Sequence, residues 1–284
     1  MTHKFDVRPS PIAGRWYPAD PDRLAANIDG YLAAAQLPAL EGEVVAVVAP
    51  HAGYLYSGPV AGYAFAAIRN LDPELVVIVA PMHYPYSQPV LSSAHSAYAT
   101  PLGQVNIDQD ALLEIDKHLN EELGFGLAMI SNDPEHSLEI ELPFLQRSLP
   151  REFKLLPIML RDQSQRTARV LGTALSRLLI SRRSILVART DLSHFYPQDI
   201  AKDLDGAVLH QLEAFDPCGV LKLEQEGKGF ACGKGALAAV LYTAKFLGAD
   251  LVKILNYATS GDVTGDFDQV VGYAAAAVMR HVTV

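Results

Sequence analysis

Short, nearly continuous runs of apolar residues recur along the chain and alternate with longer stretches of mixed polarity. The clearest runs are rich in β-branched residues and lie at 44–49 (VVAVVA), 75–80 (LVVIVA), 154–160 (KLLPIML) and 184–188 (SILVA). Such runs are typical of strands that a parallel sheet buries on both faces. The stretches between them are long enough for helices at 59–70, 108–119, 166–180 and 200–215. This alternation predicts right-handed βαβ units around a mostly parallel sheet.

The last third of the chain has a different spacing. Apolar runs at 253–258 and 270–279 are separated by TSGDVTGDFD, a segment too short for a crossover helix, so we expect an antiparallel pair. No stretch of the chain reads as a linker or as a long run of charge. The sequence therefore predicts one α/β domain over residues 1–284, with a mostly parallel mixed central sheet flanked by helices.

Composition narrows the class of protein and of partner. Half of the 284 residues are apolar and 19% are charged, a balance that suits a globular protein with a large core. The formal net charge of −9 disfavours a phosphate-binding surface, so we expect neither a nucleic-acid nor a membrane partner. Neither a signal-peptide core nor an apolar run of the ~18 residues that a membrane span needs is found, which predicts a cytoplasmic location.

Three of the nine histidines follow predicted strands. His51 and His83 come directly after the runs at 44–49 and 75–80, and His194 follows the run at 184–188 with Asp191 three residues before it. Ligands of open α/β sheets bind at the carboxyl ends of the strands, so these side chains are candidates for a shared site. Each one taken alone could equally be an ordinary surface or hydrogen-bonded residue.

His136 is a further candidate. It lies in SNDPEHSLEIELPF, where Asp133 is predicted to cap a helix that begins at Pro134, with His136 in the first turn. We expect either a catalytic role for His136 or a polar residue that faces water. In the same site, Asp191 could orient a histidine, and His194 could act as an acid or base because its ordinary pKa is near neutrality.

The two cysteines differ in their settings. Cys232 precedes a predicted helix at 236–246, and a helix N-terminus is expected to lower the pKa of its thiol and prepare it to bind metal or react. Cys218 is expected to be a packing residue. Two neutral imidazoles and one anionic ligand make an open metal site, and a thiolate among them favours copper(I) or zinc without excluding iron(II).

Several familiar catalytic motifs are absent from the sequence. It contains no HExxH, no CxxC, no GxGxxG after a strand, no GxxxxGK[ST] phosphate loop and no GxSxG elbow. The absence of these motifs disfavours nicotinamide-dependent hydride transfer, nucleotide hydrolysis and serine hydrolysis.

Six motifs in a fixed order carry a resemblance to a known family. They are AGRWYPAD at 13–20, PHAGYLYSG at 50–58, EHSLEIELPFLQ at 135–146, TDLSHFY at 190–196, ACGKG at 231–235 and SGDVTGD at 260–266. With these motifs the sequence resembles the Memo family, the cell-motility mediator proteins, whose prokaryotic relatives are labelled AmmeMemoRadiSam system protein B.

The resemblance implies a fold shared with class III extradiol dioxygenases, in which a non-haem iron binds between two histidines and a glutamate. Carried onto this chain, it implies His51, His83 and Cys232 as metal ligands, with Asp191, His194 and Tyr54 around the same pocket. The cysteine departs from the dioxygenase pattern. The implied cofactor is a redox or divalent metal ion, iron(II) or copper first and zinc as an alternative.

Two functions follow as hypotheses. The first is metal-dependent redox or dioxygenase-like chemistry on a small molecule, with His194, Asp191 and His136 as catalytic residues. The second is a non-catalytic protein whose cleft holds a tyrosine-containing or acidic peptide, with Arg15, Trp16 and Tyr54 as binding residues. The family label also implies a functional link to radical-SAM and AMMECR-type proteins.

Overall fold

The apolar runs form the strands of a central sheet that is buried on both faces. In the computed structural model, which describes residues 6–281, every residue of the strand Leu75–Pro81 is buried. The strands are β1 (Val7–Arg8), β2 (Glu43–Ala49), β3 (Leu75–Pro81), β4 (Val90–Ser93), β5 (Ala97–Thr100), β6 (Gly103–Asn106), β7 (Ala128–Ile130), β8 (Lys154–Leu160), β9 (Ser184–Arg189), β10 (His194–Tyr196), β11 (Leu251–Thr259) and β12 (Val270–Arg280).

Helices occupy most of the stretches between the strands. They are α1 (Pro21–Ala34), α2 (Tyr54–Ala66), α3 (Gln109–Leu123), α4 (Leu142–Ser148), α5 (Gln165–Leu179), α6 (Gln198–Glu213), α7 (Pro217–Gln225), α8 (Lys234–Phe246) and α9 (Gly261–Thr264), with a 3-10 turn at Glu139–Glu141. The side chains of Asp20, Asp108 and Ser164 cap α1, α3 and α5 by accepting a backbone N–H three residues on. Within residues 6–281, no helix is both long and apolar enough to cross a membrane.

The large sheet is mixed, as the sequence predicts. Its nine strands run in the order β11, β12, β2, β9, β3, β8, β4 and β7, with β10 paired to the start of β12. Strands β2, β9, β3 and β8 are parallel to one another. Strand β12 is antiparallel to β2, and β4 is antiparallel to β8 but parallel to β7. The predicted antiparallel pairing of the last two strands is confirmed. A smaller sheet has the order β1, β5 and β6.

Two helical layers cover the sheet. The connection from β2 through α2 to β3 moves along the sheet in one direction, and the connection from β8 through α5 to β9 moves in the opposite direction. Because such crossovers are right-handed, α2 and α5 lie on opposite faces of the sheet. Helices α1 and α4 pack with α2, while α3 and α8 pack with α5. The predicted α/β class is confirmed. The assignment of all residues 1–284 to a single domain stays a prediction.

The segment before the 3-10 turn departs from the predicted helix. Residues 133–136 are irregular, so the prediction that Asp133 caps a helix with His136 in its first turn is wrong. The physical reason is a long-range ion pair. Arg8 of β1 is buried and donates through Nε and Nη2 to both carboxylate oxygens of Asp133 at 3.0 Å, and through Nη1 to Glu139 at 2.5 Å.

Replacing Arg8 tests the importance of this buried ion pair. Arg8→Met keeps the length of the side chain but leaves two buried carboxylates without their cation. We expect the free energy of unfolding to fall by about 3–5 kcal/mol, measured by urea denaturation. Arg147→Met is the matched control, because Arg147 pairs with Asp29 at the surface and its loss should cost less than about 1 kcal/mol. Equal losses for the two variants would contradict a structural role specific to Arg8.

Candidate metal centre

Polar side chains follow three adjacent strands at one edge of the sheet. His51, His83 and Asp191 each lie two residues beyond the end of a strand, after β2, β3 and β9 respectively. Strand β9 lies between β2 and β3. Because the three strands are parallel, their carboxyl ends meet, and the two histidines stand on either side of the aspartate. From the sequence, His51 and His83 are expected at these strand ends, with Asp191 in the loop that leads to His194.

His136 completes a cluster with His51 and His83. The ring centroids are 5.1 Å apart for His51 and His83, 5.6 Å for His51 and His136, and 4.9 Å for His83 and His136. One nitrogen of each ring can be chosen so that all three lie within 4.8 Å of one another, which is a spacing that could hold a metal ion. His51 is buried, His136 is half-buried and His83 is exposed, so the cluster opens to solvent beside His83.

Glu135 holds two of the three histidines in place. Its carboxylate accepts the backbone N–H of His83 at 2.7 Å and the backbone N–H of His136 at 3.0 Å, and it lies 2.9 Å from Nδ1 of His83. Burial alone would raise the pKa of Glu135, but the hydrogen bond and the charge of His83, with that of His136, lower it to about 2. The ionised carboxylate therefore holds the Nδ1 proton of His83 and leaves Nε2 with a free lone pair.

The imidazoles of His51 and His136 are kept neutral. Burial, reinforced by the positive charge of Arg189, lowers the pKa of His51 well below its ordinary value. Burial also lowers the pKa of His136 to about 4, against the opposing effect of Glu135. Both rings are thus in the form that binds metal ions at neutral pH.

Cys232 lies beside His51 and outside the three-histidine cluster. Its Sγ is 3.3 Å from Nε2 of His51 and accepts the backbone N–H of Asp191 at 3.2 Å. The prediction of a lowered thiol pKa is wrong, because burial of the sulfur and the nearby carboxylate of Asp191 raise this pKa. The helix begins two residues later, at Lys234. The assignment of Cys232 as a metal ligand stays a prediction.

Asp191 and His194 occupy the segment that follows β9. Asp191 is buried, and its carboxylate accepts the backbone N–H of His51 at 2.6 Å and lies 3.9 Å from Nε2 of the same residue. Nδ1 of His194 is 2.7 Å from the carbonyl of Leu192, so Nδ1 carries the proton and Nε2 is free to accept one. The catalytic roles of both residues stay predictions.

The three predicted binding residues have different surroundings. The ring of Trp16 lies over His136 with centroids 4.1 Å apart and is half-buried. Tyr54 is buried and donates its hydroxyl to the carbonyl of Ile140 at 2.7 Å, so it contributes to the wall beneath the site. Arg15 is exposed. Glu135 is not among the residues predicted from sequence, although its position directly before His136 is a usable signal.

The chain is thus an α/β protein with a histidine cluster at the strand ends that could hold a metal ion. A family model described as Memo-like protein matches residues 8–277. A MEMO1 family protein of Nitrosopumilus maritimus is 36% identical to this chain, and one of Methanopyrus kandleri is 35% identical. Each alignment covers 95% of this chain and 98% of the length of the relative. The chain belongs to the Memo-like family, which confirms the resemblance seen in its motifs.

A solved structure also aligns with the chain. The structure of an uncharacterized protein from Escherichia coli K12 aligns with 82% of this chain, and the alignment covers 99% of the Escherichia coli chain. The sequence identity is 12% and the TM-score is 0.43. The relation to class III extradiol dioxygenases stays a prediction.

The raised pKa of the Cys232 thiol has a measurable consequence. In a Cys218→Ala variant, Cys232 is the only cysteine, and in metal-free protein at pH 8 we expect iodoacetamide to alkylate it at least about tenfold more slowly than free cysteine, because little thiolate is present. Mass spectrometry measures the rate, and unfolding in urea should restore the rate of free cysteine. Alkylation of the folded protein as fast as that of free cysteine would mean that the thiolate is stabilised.

Proposed function

We propose that the protein binds one redox-active metal ion, iron(II) or copper, at His51, His83 and His136, and uses it in redox or dioxygenase-like chemistry on a small molecule. The observation that carries the proposal is the approach of three imidazole nitrogens within 4.8 Å at the carboxyl edge of the sheet. Imidazole ligands suit iron and copper, and also zinc, which is the alternative metal.

The imidazole nitrogens of the cluster that have no hydrogen-bond partner within residues 6–281 are suited to bind a cation. Nδ1 of His83 and Nδ1 of His136 lie 2.9 and 3.3 Å from the same oxygen of Glu135, so each ring keeps Nε2 for another partner. Nδ1 of His51 is buried and has no hydrogen-bond partner among the described residues. A buried polar atom without a partner is costly, and a ligand that accepts its lone pair would remove that cost.

The residues around the cluster supply positioning and proton transfer. A bound iron or copper ion would supply electron transfer and activation of a small molecule at its open positions. Nε2 of His194 is free to take or deliver a proton, because the carbonyl of Leu192 holds the proton on Nδ1. Trp16 covers one face of His136 and shields that ring from water.

Cys232 is the alternative third ligand. Its sulfur is 3.3 Å from Nε2 of His51, and binding through sulfur would require the thiol to lose its proton. A thiolate would move the preference of the site toward copper(I) or zinc. The raised pKa of the thiol opposes this step in the absence of a metal ion, whereas the three-imidazole set requires no loss of a thiol proton.

The remaining expectations from sequence stay predictions. They include a peptide ligand at Arg15, Trp16 and Tyr54, and a functional link to radical-SAM and AMMECR-type proteins. The cytoplasmic location and the absence of nucleic-acid and membrane partners also stay predictions.

Single substitutions distinguish the two ligand sets. We expect His136→Ala to weaken binding of iron(II), titrated without oxygen, by at least about a hundredfold, because it removes one of three ligands. Cys232→Ala should change this affinity by less than about tenfold. His210→Ala is the control, because His210 is exposed on α6. An unchanged affinity in the folded His136 variant would contradict the three-histidine site, and a large loss in the Cys232 variant would favour the thiolate ligand set.

Glu135 provides a separate test of positioning. Glu135→Gln removes the negative charge that orients His83, and we expect metal affinity to fall about 10–100-fold, as is typical for residues that hold metal ligands. Isothermal titration with zinc, which needs no control of oxidation state, measures the change. Glu121→Gln, an exposed change on α3, should leave the affinity as it is. Wild-type affinity in the Glu135 variant would show that His83 needs no such support.

A further inference from the structure

A groove lined by aromatic rings lies beside the segment that carries Asp191 and His194. Its volume is about 240 Å³, and Tyr56, Phe195 and Tyr273 line it together with the carboxylate-bearing Asp266. Strand β12 joins the groove to the metal centre, because the backbone of Gly272 hydrogen-bonds with Leu192 and Ser193. The groove is therefore part of the same edge of the molecule, but it shares no residue with the histidine cluster.

Phe195 combines two features that are unfavourable in a folded protein. Its side chain is 68% exposed, and its backbone has a φ of 62°, in the left-handed region that bulky residues rarely adopt. Strained residues of this kind persist where the surrounding structure holds them and are concentrated at functional sites. An exposed aromatic ring on a strained backbone at the mouth of a groove indicates a binding role for that ring.

Among the described residues that line the groove, Asp266 is the only charged one. Residues 254–279 contain three aspartates and neither lysine nor arginine. Asp262 is occupied by hydrogen bonds from Thr259, whereas Asp266 accepts the backbone N–H of Asp268 through one oxygen. The cation–π contacts found among residues 6–281 involve Tyr98 and Phe215, so the chain's own cations do not cover the rings of this groove.

We propose that this groove binds an organic cation with an alkylammonium group. The faces of aromatic rings carry a negative potential that attracts such a group, and the carboxylate of Asp266 adds an opposite charge. The groove is large enough for a quaternary ammonium head group. An anionic group would be repelled by the aspartates, and a neutral group would lack the charge attraction to Asp266. This inference goes beyond the proposed function, because it requires no metal ion.

A pair of probes of equal shape tests the proposal. Choline and its neutral isostere 3,3-dimethylbutan-1-ol are titrated into chelator-treated, full-length protein, and binding is followed by NMR shifts. We expect choline to bind at least about tenfold more tightly than the isostere. Because metal is absent from both titrations, failure of the metal-site proposal would not affect the outcome.

Variants locate the binding. Phe195→Ala and Asp266→Asn should each weaken choline binding about fivefold or more, and Phe195→Trp should retain it. Phe246→Ala is the matched control, because Phe246 is an aromatic residue of α8 that is 49% exposed and lies outside the groove. Circular dichroism confirms that each variant is folded. Equal affinity for the two probes, no saturable choline binding, or unchanged binding in folded Phe195→Ala would each overturn the proposal.

Discussion

The site depends on how four buried carboxylates are paired within one short segment. Asp133, Glu135, Glu139 and Glu141 are each at most 4% exposed. Asp133 and Glu139 contact Arg8, Glu135 contacts His83, and Glu141 lies 2.6 Å from Arg189. An ionised group that is buried without a partner costs several kcal/mol, so loss of any of these partners would destabilise the segment. Glu141 is the least firmly ionised of the four, because burial raises its pKa to about 8 even beside Arg189. Through these pairings the segment joins β1 to the ends of β3 and β9 and places His136 against His51 and His83.

The same pairing sets the chemistry of the histidines. Arg189 is fully buried, and Glu141 holds it below the cluster. Its positive charge adds to the effect of burial and lowers the pKa of both His51 and His136. A cation that stabilises the fold therefore also keeps two imidazoles in the form that can bind a metal ion. Glu135 has the opposite charge to Arg189 and acts on His83. Its carboxylate accepts a hydrogen bond from Nδ1 of His83 and leaves Nε2 of that ring free.

Features that depend on local sequence could be predicted, and those that depend on distant partners could not. The strands follow from apolar runs, and the meeting of His51 with His83 follows from their places after parallel strands. Asp133 is a reasonable helix cap by its local sequence, but its partner Arg8 is 125 residues away. The helix that follows Cys232 predicts a lowered thiol pKa, whereas burial of the sulfur and the carboxylate of Asp191, which lies 41 residues earlier in the chain, raise it. The role of Glu135 could not be predicted in the same way, because its contact with His83 also joins distant parts of the chain.

The third histidine of the cluster is held differently from the first two. His51 and His83 are fixed by strands of a sheet that is buried on both faces, whereas His136 is held by an irregular segment whose position rests on ion pairs. A change in those pairs would move His136 while the sheet kept the other two histidines in place. Cys232, whose sulfur lies 3.3 Å from Nε2 of His51, would then be a further donor beside the cluster. If the cluster binds a metal ion as proposed, the balance between a three-imidazole and a thiolate-containing ligand set would then depend on the buried charges of residues 133–141.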